Sequence, residues 1–586
     1  MPDDPLHLVA SERLGHVTVA YETYGKLNES RDNAVCICHA LTGDAHAAGF
    51  HPGEDRPGWW DNIIGPGRAI DTNRFFVISS NLLGGYSGTT GPASINPDTG
   101  KRWGLDFPQI DMHDFVEVHL RLAQYLGVEH FHAVIGGSMG GMQALDWSLT
   151  RPSTLDNAII IASSSGLTAQ NIAFSAVGRE AILRDPAFAE GDYHDVRPDT
   201  GLSIARMLAH ITYLSEDAFA EKFGRSRQSE SVERGFGTNF AVESYLDHQG
   251  EAFLTRFDPL SYIYLTRVMD YFDPFGRAGA TDDLIANPVN FLVVCFDTDW
   301  RFSPAHSRRI ARHLEGAGLP VSFATIASSW GHDSFPHEAG SLPRPRQSLS
   351  DSRTPLDAGI TSRPALRRPP VYEGDGAVTL RPDQRILTSL VPSHSRVLDL
   401  GCGDGSLLRH LITTSGCLGT GVELDHSSLI TAMSAGVPVL GLDLNEDLGE
   451  FHDDSYDVVI LSRTLQAIVS PDEVLAEMAR IGTLLILLVP NFVYWRNRLK
   501  VMGGRMPTSH DLPYSWHDTP NQSYSGVADL EDWFASFDLE VVKRVCLDGK
   551  GRPSRLASAA PNLLAGSTIH VLKSHWVEPG AGRSHL

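Results

Sequence analysis

A serine set among glycines, in Gly136-Gly137-Ser138-Met139-Gly140-Gly141, is the first point on this chain where residue type and spacing imply chemistry. A serine hydroxyl is a weak nucleophile until a nearby base takes its proton. Glycines on both sides permit the sharp strand-to-helix turn that exposes it, and the apolar run Phe131–Ile135 before it and a helical pattern after it supply that setting. The helix start offers backbone N–H groups to an oxyanion, Met139 first among them. An acid and then a histidine are expected further along, and both occur in that order. Asp299 lies in Asp297-Thr298-Asp299-Trp300-Arg301-Phe302, and His332 in Gly331-His332-Asp333. Asp297 is the competing acid, but it lies nearer the strand end. The second oxyanion donor is expected at the Leu41 N–H, in His39-Ala40-Leu41-Thr42-Gly43. His39, His46 and His51 crowd this stretch, yet no carboxylate or cysteine spacing supports a metal site, and none is expected.

A second motif of different chemistry is Asp399-Leu400-Gly401-Cys402-Gly403-Asp404-Gly405, directly after Arg396-Val397-Leu398. Gly401, Gly403 and Gly405 let the backbone approach a ligand at a strand end, as in other nucleotide loops. Glu423 and Asp443, after the next two apolar runs, are placed for ribose hydroxyls and an adenine edge. With Asp399 this reads as a class I methyltransferase loop for S-adenosylmethionine. No clear base stands beside it, which leaves cofactor binding without methyl transfer open.

These loops need a scaffold, and the chain is long enough for two. At 586 residues, with 42% apolar and 20% charged residues, two or more domains with their own cores are expected. Up to about 335, apolar runs (Ala34–Cys38, Phe75–Ser79, Phe131–Ile135, Ala158–Ala162, Asn290–Phe296, Val321–Ile326) alternate with helical patterns. That alternation predicts an α/β domain with a mostly parallel sheet. Residues 165–285 read as helices alone, a lid over the site. Residues 341–370 carry six Pro and six Arg against two Asp, so 341–375 reads as a flexible linker. Alternation resumes at Arg396–Leu400 and continues through Gly419–Leu424, Val437–Leu442, Tyr456–Leu461 and Leu484–Leu488. This predicts a doubly wound second domain over 376–575, with a tail at 576–586.

The net charge of −23 argues against nucleic acid as a partner, because phosphate binding needs Lys and Arg. Six cysteines without Cys-x-x-Cys spacing give neither a disulfide scaffold nor a zinc site. The first residues lack the basic and apolar regions of a signal peptide, and no apolar run reaches membrane-spanning length. A cytoplasmic protein with no membrane partner is expected.

Residues 10–335 resemble the homoserine O-acyltransferases of the MetX type. The resemblance is carried by Ala20-Tyr21-Glu22-Thr23-Tyr24-Gly25, His39–His46, Asn81–Pro92, the Ser138 turn with Gln143-Ala144-Leu145, Tyr271-Phe272-Asp273, Asp299–Pro304 and Gly331–Asp333. It implies an α/β-hydrolase fold, a homodimer and a ping-pong reaction. Ser138, with His332 as base and Asp299 orienting it, would take an acyl group from acyl-CoA and pass it to L-homoserine. Arg206 and Asp333 match the family's substrate-binding arginine and acid. The Asp299–Pro304 stretch resembles the group that uses succinyl-CoA, and Arg301 is placed to meet the extra carboxylate. In the family a closing helix follows Gly-His-Asp; here Ser334–Gly340 runs into the linker, which predicts an uncovered apolar surface unless the second domain covers it.

Residues 378–575 resemble the MetW family, through Arg396–Ser406, Asp457-Val458-Val459, Leu465-Gln466-Ala467, Pro490-Asn491-Phe492, Trp495-Arg496, Gly504–Pro507, Leu512–Trp516 and Thr519-Pro520-Asn521. That family accompanies MetX-type enzymes, which implies an activator or S-adenosylmethionine sensor. The competing expectations are acetyl-CoA as donor, L-serine as acceptor, or an ester hydrolase fused to an active methyltransferase.

Overall fold

A computed structural model describes residues 5–335 and 380–574, apart from 11, 54, 194–195, 229–236, 509–516, 518 and 520. The chain forms two compact units, Met1–Leu342 and Pro343–Leu586. The expected linker and the segment after Phe335 lie outside the described residues, as does the Leu512–Trp516 block. No described helix is long and apolar enough to cross a membrane.

Seven strands build the main sheet of the first unit: β1 (Tyr21–Tyr24), β2 (Ala34–Cys38), β3 (Phe76–Ser80), β4 (Phe131–Gly137), β5 (Leu155–Ile161), β6 (Asn290–Phe296) and β7 (Val321–Ile326). Their order is β7-β6-β5-β4-β2-β3-β1. All neighbours are parallel except β1 on β3. Parallel strands are covered on both faces and so read as continuous apolar runs. Val293–Phe296 and Ile160-Ile161 are buried accordingly. The missed strand is β1, a four-residue edge strand whose side chains alternate between exposed and half-buried. Its apolar signal was too short to count.

Because the central strands are parallel, the segments after β2, β4, β6 and β7 all leave one edge of the sheet. Leu41, Ser138, Asp299 and His332 lie on those four segments. Between β5 and β6 the described residues form five helices of seven residues or more, Ala169–Leu183, Asp199–Tyr213, Glu216–Lys222, Ala241–Leu254 and Pro259–Tyr271, and a shorter one at Asp282–Ala286. Side-chain caps from Thr168, Ser215 and Asp258 start three of them. A buried ion pair, Arg179–Asp270 at 2.6 Å, joins the first of the five to the fifth.

The second unit holds β8 (Arg396–Leu400), β9 (Leu418–Val422), β10 (Val439–Leu440), β11 (Tyr456–Ser462), β12 (Gly482–Pro490), β13 (Glu540–Leu547) and β14 (Ser567–Lys573). The order is β13-β14-β12-β11-β8-β9-β10. From β8 the chain winds one way into β9 and β10 and the other way into β11 and β12. That reversal is the switch point where open α/β sheets bind ligands, and the Asp399–Gly405 loop leaves β8 there. The closing strands β13 and β14 are antiparallel and were not foreseen. Glu540, Lys543 and Arg544 on the edge strand β13 hide its pattern. The expected strand at Val437–Leu442 shrinks to Val439-Leu440.

Candidate functional site

Ser138 sits at φ 57°, ψ −124°, outside the regions a non-glycine residue ordinarily adopts. Holding it there costs on the order of 1–3 kcal/mol. The strain is held by fixed partners: the Ser138 N–H donates to the Ile161 carbonyl at 2.9 Å, and the Ser163 hydroxyl donates to the Ser138 carbonyl at 2.7 Å. The flanking glycines serve close approach. A Cβ at Gly136 would strike the Gly140 backbone, and one at Gly140 would strike the Cys38 carbonyl.

The strain aims Oγ at His332. Nε2 of His332 lies 2.9 Å from Ser138 Oγ, and Nδ1 lies 2.7 Å from Asp299 Oδ2. A carboxylate only accepts, so the histidine proton is on Nδ1 and Nε2 is free to take the serine proton. Asp299 is held in turn: its Oδ1 accepts from the N–H groups of Arg301 and Phe302, both at 2.9 Å. Asp297 instead accepts from the Ser328 N–H at 2.9 Å. All three side chains are buried, and the rings of Tyr213, Phe302 and Phe335 surround the imidazole.

These residues open into a cavity of 460 Å³ whose lining includes Leu41, Thr42, Asp44, Arg206, His210, Arg256, Arg301 and Asp333. The lid supplies Arg206, His210, Tyr213 and Arg256. Arg206 donates from Nη1 to Thr42 Oγ1 at 3.2 Å and lies 4.6 Å from the Phe253 ring centroid. Its Nε is buried with no partner among the described residues. Arg301 is buried and donates to Thr212 Oγ1 at 3.0 Å. His210 is kept neutral, its pKa pushed down to about 3 by burial and the charges of Arg206, Lys222 and Arg256.

The expected oxyanion donors, Met139 and Leu41, rest on Gln143, His119 and Ser80, to which the sequence reading gave no role. Met139 is the first residue of its helix, so its N–H has no intrahelical acceptor. The loop carrying Leu41 is tied down by Gln143, whose amide donates to the His39 carbonyl at 3.1 Å. Gln143 Oε1 lies 3.0 Å from His119 Nε2, and His119 Nδ1 lies 3.0 Å from Ser80 Oγ. Burial lowers the His119 pKa to about 4, so this buried relay is neutral.

The histidines near the loop need a correction. A carboxylate does reach them: Glu22, from β1, lies 3.1 Å from His46 Nδ1 and 2.8 Å from His51 Nε2. Among the described residues these three are grouped closely enough to hold a metal ion. Here they are joined by hydrogen bonds, with the Tyr24 hydroxyl donating to Glu22 at 2.6 Å. His39 stands apart on the Ala40 carbonyl. The strand β1 was not anticipated, so neither was its carboxylate.

In the second unit Gly401, Gly403 and Gly405 all have positive φ. A Cβ at Gly403 would meet open space, so the loop leaves room there. Glu423 accepts from the Gly403 N–H at 2.8 Å and the Asp425 N–H at 2.9 Å. Asp443 Oδ1 accepts from both N–H groups of Asn445 and closes a turn. Asp399 is buried, and its Oδ1 has no partner among the described residues. Burial, with Glu423 beside it, pushes its pKa up to about 7. A buried acceptor without a donor, next to an open glycine loop, fits a ligand that brings an ammonium group.

The family described as "alpha/beta hydrolase fold" matches residues 33–339, and "Methionine biosynthesis protein MetW" matches residues 381–572. The bifunctional methionine biosynthesis protein MetXA/MetW of Rhodopirellula baltica is 39% identical, over 97% of this chain and 91% of that protein. This chain belongs to the MetXA/MetW family. Its MetX part is also 54% identical to the homoserine O-succinyltransferase of a Nocardioides species, over 57% of this chain and 91% of that one. Among solved structures, the homoserine O-acetyltransferase from Bacillus anthracis has a TM-score of 0.54 at 27% identity, covering 57% of this chain and 94% of that one. Esterase E22 has the same TM-score at 29% identity, covering 58% and 95%. The solved structures similar to the first unit thus include one described as an acetyltransferase and one described as an esterase.

Proposed function

We propose that this MetXA/MetW chain moves a succinyl group from succinyl-CoA to L-homoserine, giving O-succinyl-L-homoserine and CoA for methionine biosynthesis. The observation that carries the donor is Arg301, a buried guanidinium in the same cavity as Ser138, where a second carboxylate of the acyl group would need a cation.

His332 Nε2 takes the Ser138 proton as Oγ attacks the thioester carbon. The Leu41 and Met139 N–H groups hold the oxyanion. As the intermediate collapses, the carbon–sulfur bond breaks and His332 gives the proton to the CoA sulfur. L-homoserine then enters, its carboxylate on Arg206 and its ammonium on Asp333. His332 takes the homoserine hydroxyl proton, that oxygen attacks the acyl-serine, and Ser138 leaves with the proton returned. The lid and the rings around His332 keep water from the acyl-enzyme.

The second unit is the regulatory half in this reading. Asp399 would hold the ammonium of S-adenosylmethionine beside the open glycine loop, and Glu423 and Asp443 would serve the ribose and adenine. When bound, the cofactor carries an electrophilic methyl group. The neighbouring cavity, lined by Leu465, Phe492, Tyr524 and Trp533, is mostly apolar, and Asp529 there already accepts from the Gly526 N–H. Cofactor sensing, without methyl transfer, fits that lining.

Three sets of measurements test the reading. Succinyl-CoA without acceptor should add one succinyl group to the Ser138 peptide by mass spectrometry, and Ser138→Ala should add none. Thiol release should favour succinyl-CoA over acetyl-CoA and L-homoserine over L-serine; the reverse preference overturns the assignment. Gly403→Asp in the full chain should remove the response of thiol release to S-adenosylmethionine, and robust methyl transfer to any acceptor would refute the sensor.

A further inference from the structure

Four arginines line the catalytic cavity, Arg56, Arg206, Arg256 and Arg301, against two aspartates, Asp44 and Asp333. The cavity is thus locally positive in a chain of formal charge −23. Arg301 and Arg206 have partners in the reaction proposed above. Arg56 and Arg256 have none. Both are exposed, whereas Ser138, His332 and Arg301 are buried, so the unassigned pair belongs to the rim. Among the described residues neither forms an ion pair. Among the described residues the side chain of Arg256 makes one long hydrogen bond, 3.4 Å to the Thr42 carbonyl. Burial, then Arg206 and Arg56, lower the Arg256 pKa, with Asp44 opposing. Like charges gathered at an opening, outnumbering the carboxylates beside them, are at lower energy when a multivalent anion sits between them.

We propose that Arg56 and Arg256 form a phosphate site that takes the nucleotide end of the acyl donor. The assignment rests on the reading of the donor as a CoA thioester. The order of groups along such a donor matches the order of charges in the cavity. The acyl carboxylate goes inward to Arg301, the thioester lies at Ser138, and the phosphates remain outside at the rim. A guanidinium fork pairs with two phosphate oxygens at once, which a point charge cannot do. Thr42 connects the two ends. It receives hydrogen bonds from Arg206 and Arg256 and directly follows Leu41, the expected oxyanion donor. Seating the phosphates therefore also braces the segment that must meet the oxyanion.

The test is calorimetric binding of CoA and of pantetheine, which lacks the nucleotide, to the full chain. The double variant Arg56→Ala/Arg256→Ala should weaken CoA binding by about 10- to 100-fold and leave pantetheine binding as in the parent. Raising the salt concentration should weaken CoA binding and not pantetheine binding. Arg256→Lys, which keeps the charge and loses the fork, should fall between parent and double variant. Equal CoA affinity in parent and double variant overturns the site. Parallel losses for CoA and pantetheine also overturn it, since the arginines would then act on fold or on the inner cavity. Succinyl-CoA turnover is read separately. A chain that binds CoA through these arginines but prefers acetyl-CoA refutes the donor assignment and keeps the phosphate site.

Discussion

Gln143 donates its side-chain amide to the carbonyl of His39 across 3.1 Å, joining the nucleophile helix to the loop that carries Leu41. The nucleophile and one half of the oxyanion site therefore share a support that touches no substrate. Gln143→Leu should leave the His39 carbonyl without this partner and let the Leu41 N–H drift. A kcat lower by about tenfold or more is expected, with a smaller change in KM, because the lost interaction forms with the transition state. Gln143→Glu keeps the volume and loses the amide donor, so it should lose kcat as Gln143→Leu does; an unchanged kcat in Gln143→Glu would argue for volume rather than for the donor.

Asp299 determines which histidine nitrogen carries the proton. Asn at this position offers an amide N–H to Nδ1 and favours the tautomer whose Nε2 cannot accept. Asp299→Asn should lower kcat on the order of 10⁴-fold. Asp297→Asn should cost far less, since Asp297 holds the Ser328 backbone and not His332. Similar losses in thiol release for the two variants would reverse the assignment.

Arg301 is expected to choose the donor. Arg301→Leu removes a buried cation and should reduce the preference for succinyl-CoA over acetyl-CoA by about 10- to 100-fold in kcat/KM, the range for a hydrogen bond to a charged group. An unchanged ratio would place the succinyl carboxylate elsewhere.

Asp399 should make the ligand-free second unit sensitive to pH. Its folded pKa of about 7 is raised above the ordinary 3.8, so the folded state binds this proton more tightly than the unfolded state. The stability it contributes is therefore complete below about pH 4 and is lost as pH rises through about 7. Asp399→Asn should flatten that part of the stability curve in thermal melts. An ammonium ligand needs the ionised form, so S-adenosylmethionine affinity should rise between pH 6 and 8 with proton release, measured calorimetrically in buffers of different ionisation enthalpy. Affinity that is flat over this range would remove Asp399 from the site.

Much of this protein was legible along the chain. Strands buried on both faces announce themselves as unbroken apolar runs, and Asn290–Phe296 and Val321–Ile326 were read to the residue. A nucleophile turn and a glycine loop are local, because each depends on φ/ψ values that neighbouring residues must permit. The order acid-then-histidine followed from the partner order expected after such a nucleophile turn on an α/β-hydrolase sheet. Contacts between distant segments left no such trace. Glu22 reaches His46 and His51 only because β1 pairs with β3, and a four-residue edge strand carries too little apolar pattern to declare itself. The relay from Ser80 through His119 to Gln143 joins three segments by side-chain geometry alone. The four arginines of the cavity come from a loop, two lid helices or their ends, and the segment after β6. Sequence determined the chemistry each segment could offer; burial and pairing across the sheet decided which of those groups would meet, because only the folded chain fixes distances between residues hundreds of positions apart.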